Sequence, residues 1–365
     1  MRIIQKPFVQ NLKREYSHYF MEQKVTISAV RNISKQILIH VGVSPEHTEI
    51  IVDSIVYAHQ SGKGTHGLGR LPLYVKKIQA GFMAAETSTD LVKDTPVLAV
   101  MDAKNGFGQV AATKAMDLCI NKANYYGIGL VGVRRSNNFG TASFITEQAA
   151  AKGMIGIVLG NSGPAIAPTG GSHPLFGTNP LGIAFPNPVG EFPISLDMAT
   201  SVVARGKVRQ AAKSNEKIPF GWALDGNGQP TCDPFQALEG SMIPIGDHKG
   251  YGLSLAIDIL AGLLTGSAFG GDVHPLGDMS ANSNYGHLCM TINVDFFMTI
   301  DEWSQKIAYL VSSIKSCGDP EKIRIHGESS HRSIRNSKEY VLVKNRVIND
   351  IESSASSLGI EVRWT

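Results

Sequence analysis

The segment HQSGKGTHGLGRLP, residues 59–72, contains the residues whose types and spacing best suit a reactive site. His66 lies in a glycine-rich stretch and Arg70 follows four residues later, so both side chains share one face if a helix begins there. An arginine can bind a carboxylate through two parallel hydrogen bonds, and a histidine exchanges protons near neutral pH. The pair predicts a site for a 2-hydroxy or 2-oxo acid; an ordinary loop histidine beside a surface arginine is the alternative.

Two other segments could complete such a site. Asp197 ends the strand-like ISLD, where a carboxylate can orient an imidazole, although a lone acid there is also a common helix cap. The segment GDHKGYG, residues 246–252, places glycines and Lys249 just before a predicted helix. It indicates an anion or pyrophosphate site and a plain glycine-rich helix start equally well. His59 and His66 are seven residues apart and lack zinc-site spacing, so no metal is predicted.

The segment GIGLVG, residues 127–132, fits the G-x-G-x-x-G pattern of a dinucleotide-binding turn. A Rossmann turn needs a strand before its first glycine and a helix after its last. Here an amphipathic helical pattern through Met116 and Cys119 comes first, and the β-rich LVGV comes second. The position about twenty residues past the motif, where an acid would hold a ribose, is near Lys152. The sequence therefore predicts that Gly127 ends a helix in a non-Rossmann fold.

The elements around these residues predict an α/β protein. Helical periodicity covers residues 27–42, and a second helix is predicted to begin at Pro45. The order helix, glycine, strand occurs twice, ending in LVGV (130–133) and MIGIVLG (154–160), which suggests one sheet. A long amphipathic helix is predicted over 303–314.

Composition narrows the class of partner. The 365 residues include 34 Lys and Arg against 31 Asp and Glu, and no basic block stands apart, so no nucleic acid or membrane is predicted as a partner. The longest apolar run contains Asp258 and is too short to cross a bilayer. Residues 1–20 lack a secretory core, and the four cysteines form no C-x-x-C pair. We expect a cytoplasmic enzyme that acts on a small molecule.

Taken together, these stretches resemble the type-2 malate/L-lactate dehydrogenase family, from about residue 28 to the end of the chain. The blocks that carry the resemblance are G-x-x-T-H-G-x-x-R-L-P (62–72), GQVAA (108–112), RRSNNFGTA (134–142), FGTNPLGIAFP (176–186), LDMATS (196–201), GKV (206–208), IPFGWALDGNGQPTCDP (218–234) and IPIGDHKGYGLSLAIDILAGLLTG (243–266).

The resemblance implies a mixed, largely antiparallel sheet flanked by helices, binding NAD(P) without a Rossmann fold, and a homodimer with active sites near the subunit interface. It predicts an N-terminal extension over 1–25 and a helical lobe over 26–90 that carries the catalytic histidine. A cofactor-binding sheet domain would cover 91–299, and C-terminal helices over 300–365 would return to the helical lobe.

The resemblance also implies roles for residues. His66 would donate and accept the proton, with Asp197 and the Thr65 hydroxyl in its relay; threonine stands here where the family usually has serine. Arg70 and Thr178 would contact the substrate. The cofactor would lie along Asn137, Asn138, Phe139, Gly140, Ile194, Ser195, Leu196, Met198, Ala199, Thr200, His248, Lys249, His326, Gly327 and Glu328.

Two positions depart from the family pattern and bear on the substrate. Asn138 replaces a common histidine, so it can form hydrogen bonds but cannot titrate near neutral pH. His59 stands where an acid is frequent. The expected reaction interconverts a 2-hydroxy acid and its 2-oxo acid, with malate as the leading substrate.

Several alternatives stay open from the sequence. Ureidoglycolate, sulfolactate and lactate dehydrogenases are alternatives within the family, a cyclic-imine reductase is a weaker one, and a non-catalytic metabolite-binding relative is the alternative from another class. NAD is the expected cofactor. NADP is the alternative, since Arg134 and Arg135 could pair with a 2′-phosphate.

Overall fold

The computed structural model describes residues 22–364, which contain both helices and strands. The strands are β1 (Glu22–Thr26), β2 (Asp90–Asp94), β3 (Leu98–Asp102), β4 (Ile128–Ser136), β5 (Met154–Gly160), β6 (Leu181–Phe185), β7 (Ile194–Met198), β8 (Ala223–Leu224), β9 (Pro230–Thr231), β10 (Ser241–Met242), β11 (Tyr285–Asn293) and β12 (Tyr340–Lys344). The α-helices are α1 (Ile27–His40), α2 (Pro45–Gln60), α3 (Leu71–Gln79), α4 (Gly108–Tyr126), α5 (Ala142–Ala150), α6 (Arg205–Ser214), α7 (Pro234–Glu239), α8 (His248–Ile257), α9 (Ile300–Lys315), α10 (Glu328–Asn336) and α11 (Asn345–Ser357). A π-helical segment, Asp258–Leu263, continues α8.

A seven-stranded sheet forms the centre of the fold, in the order β2-β3-β4-β11-β5-β6-β7. Only the β3–β4 pair is parallel; the other five neighbouring pairs are antiparallel. Helix α4 packs on β4 and β11, and α5 packs on β5 and β6. The predicted mixed, largely antiparallel sheet flanked by helices is confirmed.

The glycines of GIGLVG end one helix and allow close packing on both faces of the strand that follows. Gly127 ends α4 in the left-handed conformation, at φ 78°, which glycine adopts without a Cβ penalty. A Cβ at Gly129 would overlap the Cys119 carbonyl of α4, and a Cβ at Gly132 would lie 3.2 Å from Thr265 Cγ2. Because alternate residues of a strand face opposite sides, these two glycines admit neighbours on both faces of β4. The segment is thus a helix end and a buried strand, as predicted.

A second core joins the two ends of the described chain. Strand β1 pairs antiparallel with β12, from Glu22 with Lys344 to Thr26 with Tyr340. The apolar side chains of α1 and α2 share one cluster with those of β12 and α11, among them Ile37, Ile55 and Ile351. Residues 1–21 of the predicted extension lie outside the described residues, whereas Glu22–Thr26 form β1. The wider domain division stays a prediction.

A smaller unit packs beside the central sheet. Strands β10, β8 and β9 form a three-stranded sheet, and α6 and α7 cover it through an apolar cluster that includes Val208, Ala237 and Met242. This unit places α6 beside the segment that carries His66, since Gly206 approaches the Thr65 side chain. Within residues 22–364, no helix is both long and apolar enough to cross a membrane.

Candidate active site

A cleft of about 1740 Å³ brings together residues that are far apart in sequence. Its lining includes the five predicted catalytic and substrate-binding residues, namely Thr65, His66, Arg70, Thr178 and Asp197. Ligand pockets for drug-sized molecules usually measure about 300–1,000 Å³, so this cleft has room for a dinucleotide and a small acid together. The walls come from the turns after α2, the end of β7, helix α6 and the segment around β12.

His59 supports the turn that carries His66 by accepting a backbone hydrogen bond from it. Residues Gly64–His66 and Leu68–Arg70 form two short 3₁₀ turns between α2 and α3. The Leu68 backbone N–H donates to His59 Nε2 at 2.9 Å. Burial lowers the pKa of His59 to about 4, so its imidazole stays neutral and keeps an acceptor for that bond. A Cβ at Gly67 would overlap the same ring, which explains glycine at that position.

His66 is neutral in the free protein. Burial and the charges of Arg70 and Lys63 lower its pKa to about 4, whereas Asp197 and the Asn138 side chain act in the opposite direction. Its Nδ1 atom is buried and has no hydrogen-bond partner among the described residues. A neutral imidazole has one basic nitrogen, which is the form that accepts a proton.

Asp197, near the end of β7, binds Lys63 in the turn that carries His66. Its Oδ2 atom accepts bonds from Lys63 Nζ at 2.6 Å, from Ser143 Oγ at 2.8 Å and from the Ser143 backbone N–H at 3.0 Å. Burial by itself raises the pKa of Asp197, but Lys63 and Ser143 outweigh it and the net pKa is lowered. The carboxylate therefore stays charged, and it acts on His66 through its charge. The proton relay through Asp197 and Thr65 stays a prediction.

Arg70 and Arg209 are among the cleft arginines that form no ion pair with a carboxylate among residues 22–364. Arg70 Nε donates to the Thr65 backbone oxygen at 2.9 Å, and the residue lines the cleft. Arg209 of α6 lies close enough to Arg70 that burial and the repulsion between them lower its pKa. Two neighbouring guanidinium groups without a counter-ion favour an anionic ligand.

Positive charge is concentrated in this cleft. The whole chain has a formal net charge of +3, yet the cleft is lined by thirteen Lys and Arg side chains and four carboxylates. The cations are Lys24, Lys63, Arg70, Arg205, Lys207, Arg209, Lys213, Arg324, Arg332, Arg335, Lys338, Lys344 and Arg346. Such a surface suits a pyrophosphate and an organic acid, so the donor set fits a nicotinamide dinucleotide. Sequence reasoning missed this concentration, because the contributing residues span more than three hundred positions.

The predicted cofactor residues divide into two groups. Asn138, Gly140, Met198 and Ala199 line the cleft. The others lie outside its lining and are Asn137, Phe139, Ile194, Ser195, Leu196, Thr200, His248, Lys249, His326, Gly327 and Glu328.

Among the second group, several side chains have structural partners. Asn137 is buried and donates to the backbone oxygens of Asn105 and Gly106 at 2.8 and 2.9 Å, which shapes the turn before α4. The Phe139 ring packs against the ring of His287. Glu328 forms an ion pair with Lys315 at 2.8 Å. Asn137, Phe139 and Glu328 adjoin Asn138 and Ser329 in the chain, and these two neighbours line the cleft.

His248, Lys249 and His326 are exposed. The His326 carbonyl accepts a bond from the Ser195 N–H at 3.0 Å, so this turn lies against the start of β7. Lys249 stands in the first turn of α8, outside the cleft.

Arg134 and Arg135, which could have paired with a 2′-phosphate, both bind Asp102. Arg134 Nε lies 3.0 Å and Arg135 Nη2 lies 2.6 Å from Asp102 Oδ2. Among the described residues, no group of three or more His, Cys, Asp or Glu is arranged to hold a metal ion.

Comparison with known proteins identifies the family. The family model for malate/L-lactate dehydrogenase matches residues 25–352. The chain is 39% identical over 335 residues to a malate/(S)-sulfolactate dehydrogenase of Methanothermus fervidus, covering 92% of this chain and 98% of that one. It is 35% identical over 294 residues to an NAD⁺-dependent ureidoglycolate dehydrogenase of Escherichia coli, covering 80% and 83%.

A solved structure agrees with that assignment. The sulfolactate dehydrogenase from Methanocaldococcus jannaschii superimposes with a TM-score of 0.86 at 36% identity, covering 93% of this chain and 98% of that one. The chain belongs to the malate/L-lactate dehydrogenase family.

Proposed function

We propose that this member of the malate/L-lactate dehydrogenase family interconverts malate and oxaloacetate, with His66 as the acid–base residue and NAD as the cofactor. The family consists of NAD(P)-dependent 2-hydroxy-acid dehydrogenases, and the choice of acid and of nucleotide is the proposal. One observation carries it: the His66 imidazole, whose pKa is lowered to about 4, lines the same cleft as Arg70 and Arg209, which have no carboxylate partner among the described residues.

The residues of the cleft divide the work of the reaction. Arg70 binds the 2-carboxylate through its free guanidinium nitrogens and so fixes the carbinol beside His66. Neutral His66 accepts the hydroxyl proton during oxidation and returns it during reduction. The bound nicotinamide supplies the hydride acceptor. Thr178 and Asn138 line the same cleft and complete the polar contacts.

Substrate binding changes the charge that acts on His66. In the free protein, the Arg70 charge is one of the causes that lower the pKa of His66. A carboxylate bound to Arg70 offsets that charge, so the imidazole holds a proton more easily in the complex than in the free enzyme. The reduction direction, which needs protonated His66, gains from this offset.

Arg209 favours a substrate with two acidic groups. It has no ion-pair partner among the described residues and lies near Arg70, so a second acid on the substrate can bind it while the first binds Arg70. Malate and oxaloacetate have two carboxylates. Sulfolactate has a carboxylate and a sulfonate and is the second candidate, since the relatives include a malate/(S)-sulfolactate dehydrogenase.

We also propose a cytoplasmic homodimer. The four cysteines are free thiols, which suits a reducing compartment. The π-helical segment exposes Ile259, Leu260 and Leu263, and a second copy of the chain would remove them from water. Light scattering on the purified protein would give the mass of two chains; the mass of one chain would contradict the dimer.

The test of the reaction is a panel of 2-oxo acids with NADH and with NADPH, followed by absorbance at the nicotinamide band. We expect the highest kcat/KM for oxaloacetate with NADH. A preference for the sulfonate analogue or for the ureido acid would move the assignment to a sulfolactate or ureidoglycolate dehydrogenase, and a preference for pyruvate to a lactate dehydrogenase. Binding of NADH without turnover on any acid would support a non-catalytic binding protein.

The Arg209→Gln variant tests the substrate class within one assay. A hydrogen bond to a charged group contributes about 1.5–3 kcal/mol, so kcat/KM for oxaloacetate should fall about 10- to 100-fold. Pyruvate lacks the second acid and serves as the internal control, with little change expected. An equal loss for both acids would remove Arg209 from the proposed subsite.

A further inference from the structure

Lys63 contacts the site at a position that the family blocks leave unspecified, as the first x of G-x-x-T-H-G. Its Nζ lies 2.6 Å from Asp197 Oδ2 and 2.9 Å from Ser143 Oγ. The Lys63 side chain is 27% exposed and that of Asp197 is 14% exposed, so solvent screens their ion pair only in part. Lys63 thus links the turn that carries His66 to the end of β7 and the start of α5.

The charged and polar groups that act on His66 come from three parts of the fold. Arg70 and Lys63 are cations on the same pair of turns, and Asp197 is an anion at the end of β7. Asn138, in the loop after β4, contributes a neutral polar side chain. Of these groups, only Asp197 and Lys63 are bonded to each other, so the effect of Asp197 on the imidazole depends on Lys63.

We propose that Lys63 is a positioning residue that holds the Asp197 carboxylate in place between the His66 turn and the start of α5 and offsets the negative charge that this carboxylate presents to His66. This inference rests on the proposed role of His66 as the proton acceptor. Without Lys63, the carboxylate that acts on the imidazole through its charge keeps Ser143 as its remaining donor, and Ser143 has no charge to offset that of the carboxylate. The imidazole then binds a proton at a higher pH, so less of it is ready to accept the substrate hydroxyl proton at acidic pH, whereas burial still keeps it neutral near pH 7.

The experiment is an NMR titration of His66 in the ligand-free enzyme, with its signal assigned by its loss in His66→Ala. An opposite charge at close range shifts a pKa by about 1–3 units, so the titration midpoint in Lys63→Gln should rise by about one unit. Glutamine keeps a donor for Asp197 and Ser143 and removes only the charge, which keeps the turn folded. Lys63→Arg keeps the charge and should retain the wild-type midpoint.

Two further variants separate this effect from a general loss of positive charge. Lys213→Met removes a cation from another part of the cleft and should leave the His66 midpoint in place. The double variant Lys63→Gln/Asp197→Asn removes both charges and should return the midpoint toward the wild-type value. The acid limb of the pH profile of kcat/KM for oxidation should move with the NMR midpoint in each case.

A His66 midpoint that does not move in Lys63→Gln, with turnover reduced equally at every pH, would overturn the proposal and leave Lys63 as a structural residue. The titration is independent of the proposed reaction. If His66→Ala retains turnover, the proposed function fails even when the midpoint moves. If His66→Ala loses turnover while the midpoint stays fixed, only the role of Lys63 fails.

Discussion

Two glycine-rich segments of this chain look alike in sequence and differ in structure. Residues 62–70 contain His66 and Arg70, and residues 246–252 contain His248 and Lys249. The first segment forms turns in the wall of the cleft, where the imidazole Nδ1 is buried. The second begins α8 at the surface, with both side chains exposed.

The difference comes from what surrounds each segment. His59 accepts a hydrogen bond from the Leu68 N–H of the first segment, and Lys63 binds that segment to Asp197. Arg209 lies near Arg70 and brings another cation to it. In the second segment, Asp247 precedes α8 and its side chain makes no capping bond to that helix. We therefore expect glycines beside a cation to form an anion site only where other elements enclose the segment and supply cations that have no carboxylate partner.

The largest difference between the two segments should appear when Asp197, the ion-pair partner of Lys63 in the first segment, is removed. Asp197→Ala leaves Lys63 partly buried without its counter-ion, and such a loss costs about 3 kcal/mol of unfolding free energy. Urea denaturation measures the loss. The double variant Lys63→Met/Asp197→Leu removes both charges and should recover part of it, since an apolar pair tolerates burial. A single variant within about 1 kcal/mol of wild type would show that the pair is not an anchor.

Paired glycine substitutions should give a smaller and opposite effect in the two segments. Gly67→Ala forces a methyl group into the His59 ring and should destabilise the protein by about 1–3 kcal/mol. Gly252→Ala meets no atom within 4 Å inside α8 and should stabilise it by up to about 1 kcal/mol. Thermal denaturation of both variants makes the comparison, and equal shifts in Tm would contradict it.

The smallest effect is expected for Lys249→Met. If Lys249 contributes to cofactor binding as proposed, it does so as an exposed charge, and such pairs contribute about 0.2–1 kcal/mol. The Kd for NADH, from quenching of protein fluorescence, should then rise by less than about fivefold. A loss of more than tenfold would mean that the second segment holds the cofactor directly.

Local patterns in the sequence were sufficient for much of the fold. The predicted order of a helix before Gly127 and a strand after it correctly excluded a Rossmann turn. That turn needs a helix after its last glycine, so that the N–H groups of the helix can bind a pyrophosphate. The strand β1 was missed within the predicted extension. Its partner β12 lies more than three hundred residues away, and nothing local specifies that pairing.

The site was predictable where spacing or a family motif marked its residues, as for His66, Arg70, Thr178 and Asp197. The spacing of His66 and Arg70 predicted the pair that the structure places in one cleft. Arg209 and Lys63 carry no motif of their own, and their value depends on which distant groups they meet. His59 gave no signal of its role as an acceptor for Leu68, because that bond depends on the path of the turn.

The most direct test of the central claim is the rate of oxaloacetate reduction by His66→Ala, measured beside the Kd for NADH of the same variant. General acid–base catalysis by a positioned side chain contributes about 10²- to 10⁴-fold, so kcat should fall by that range while the Kd for NADH stays near the wild-type value. Wild-type turnover in His66→Ala would contradict the account.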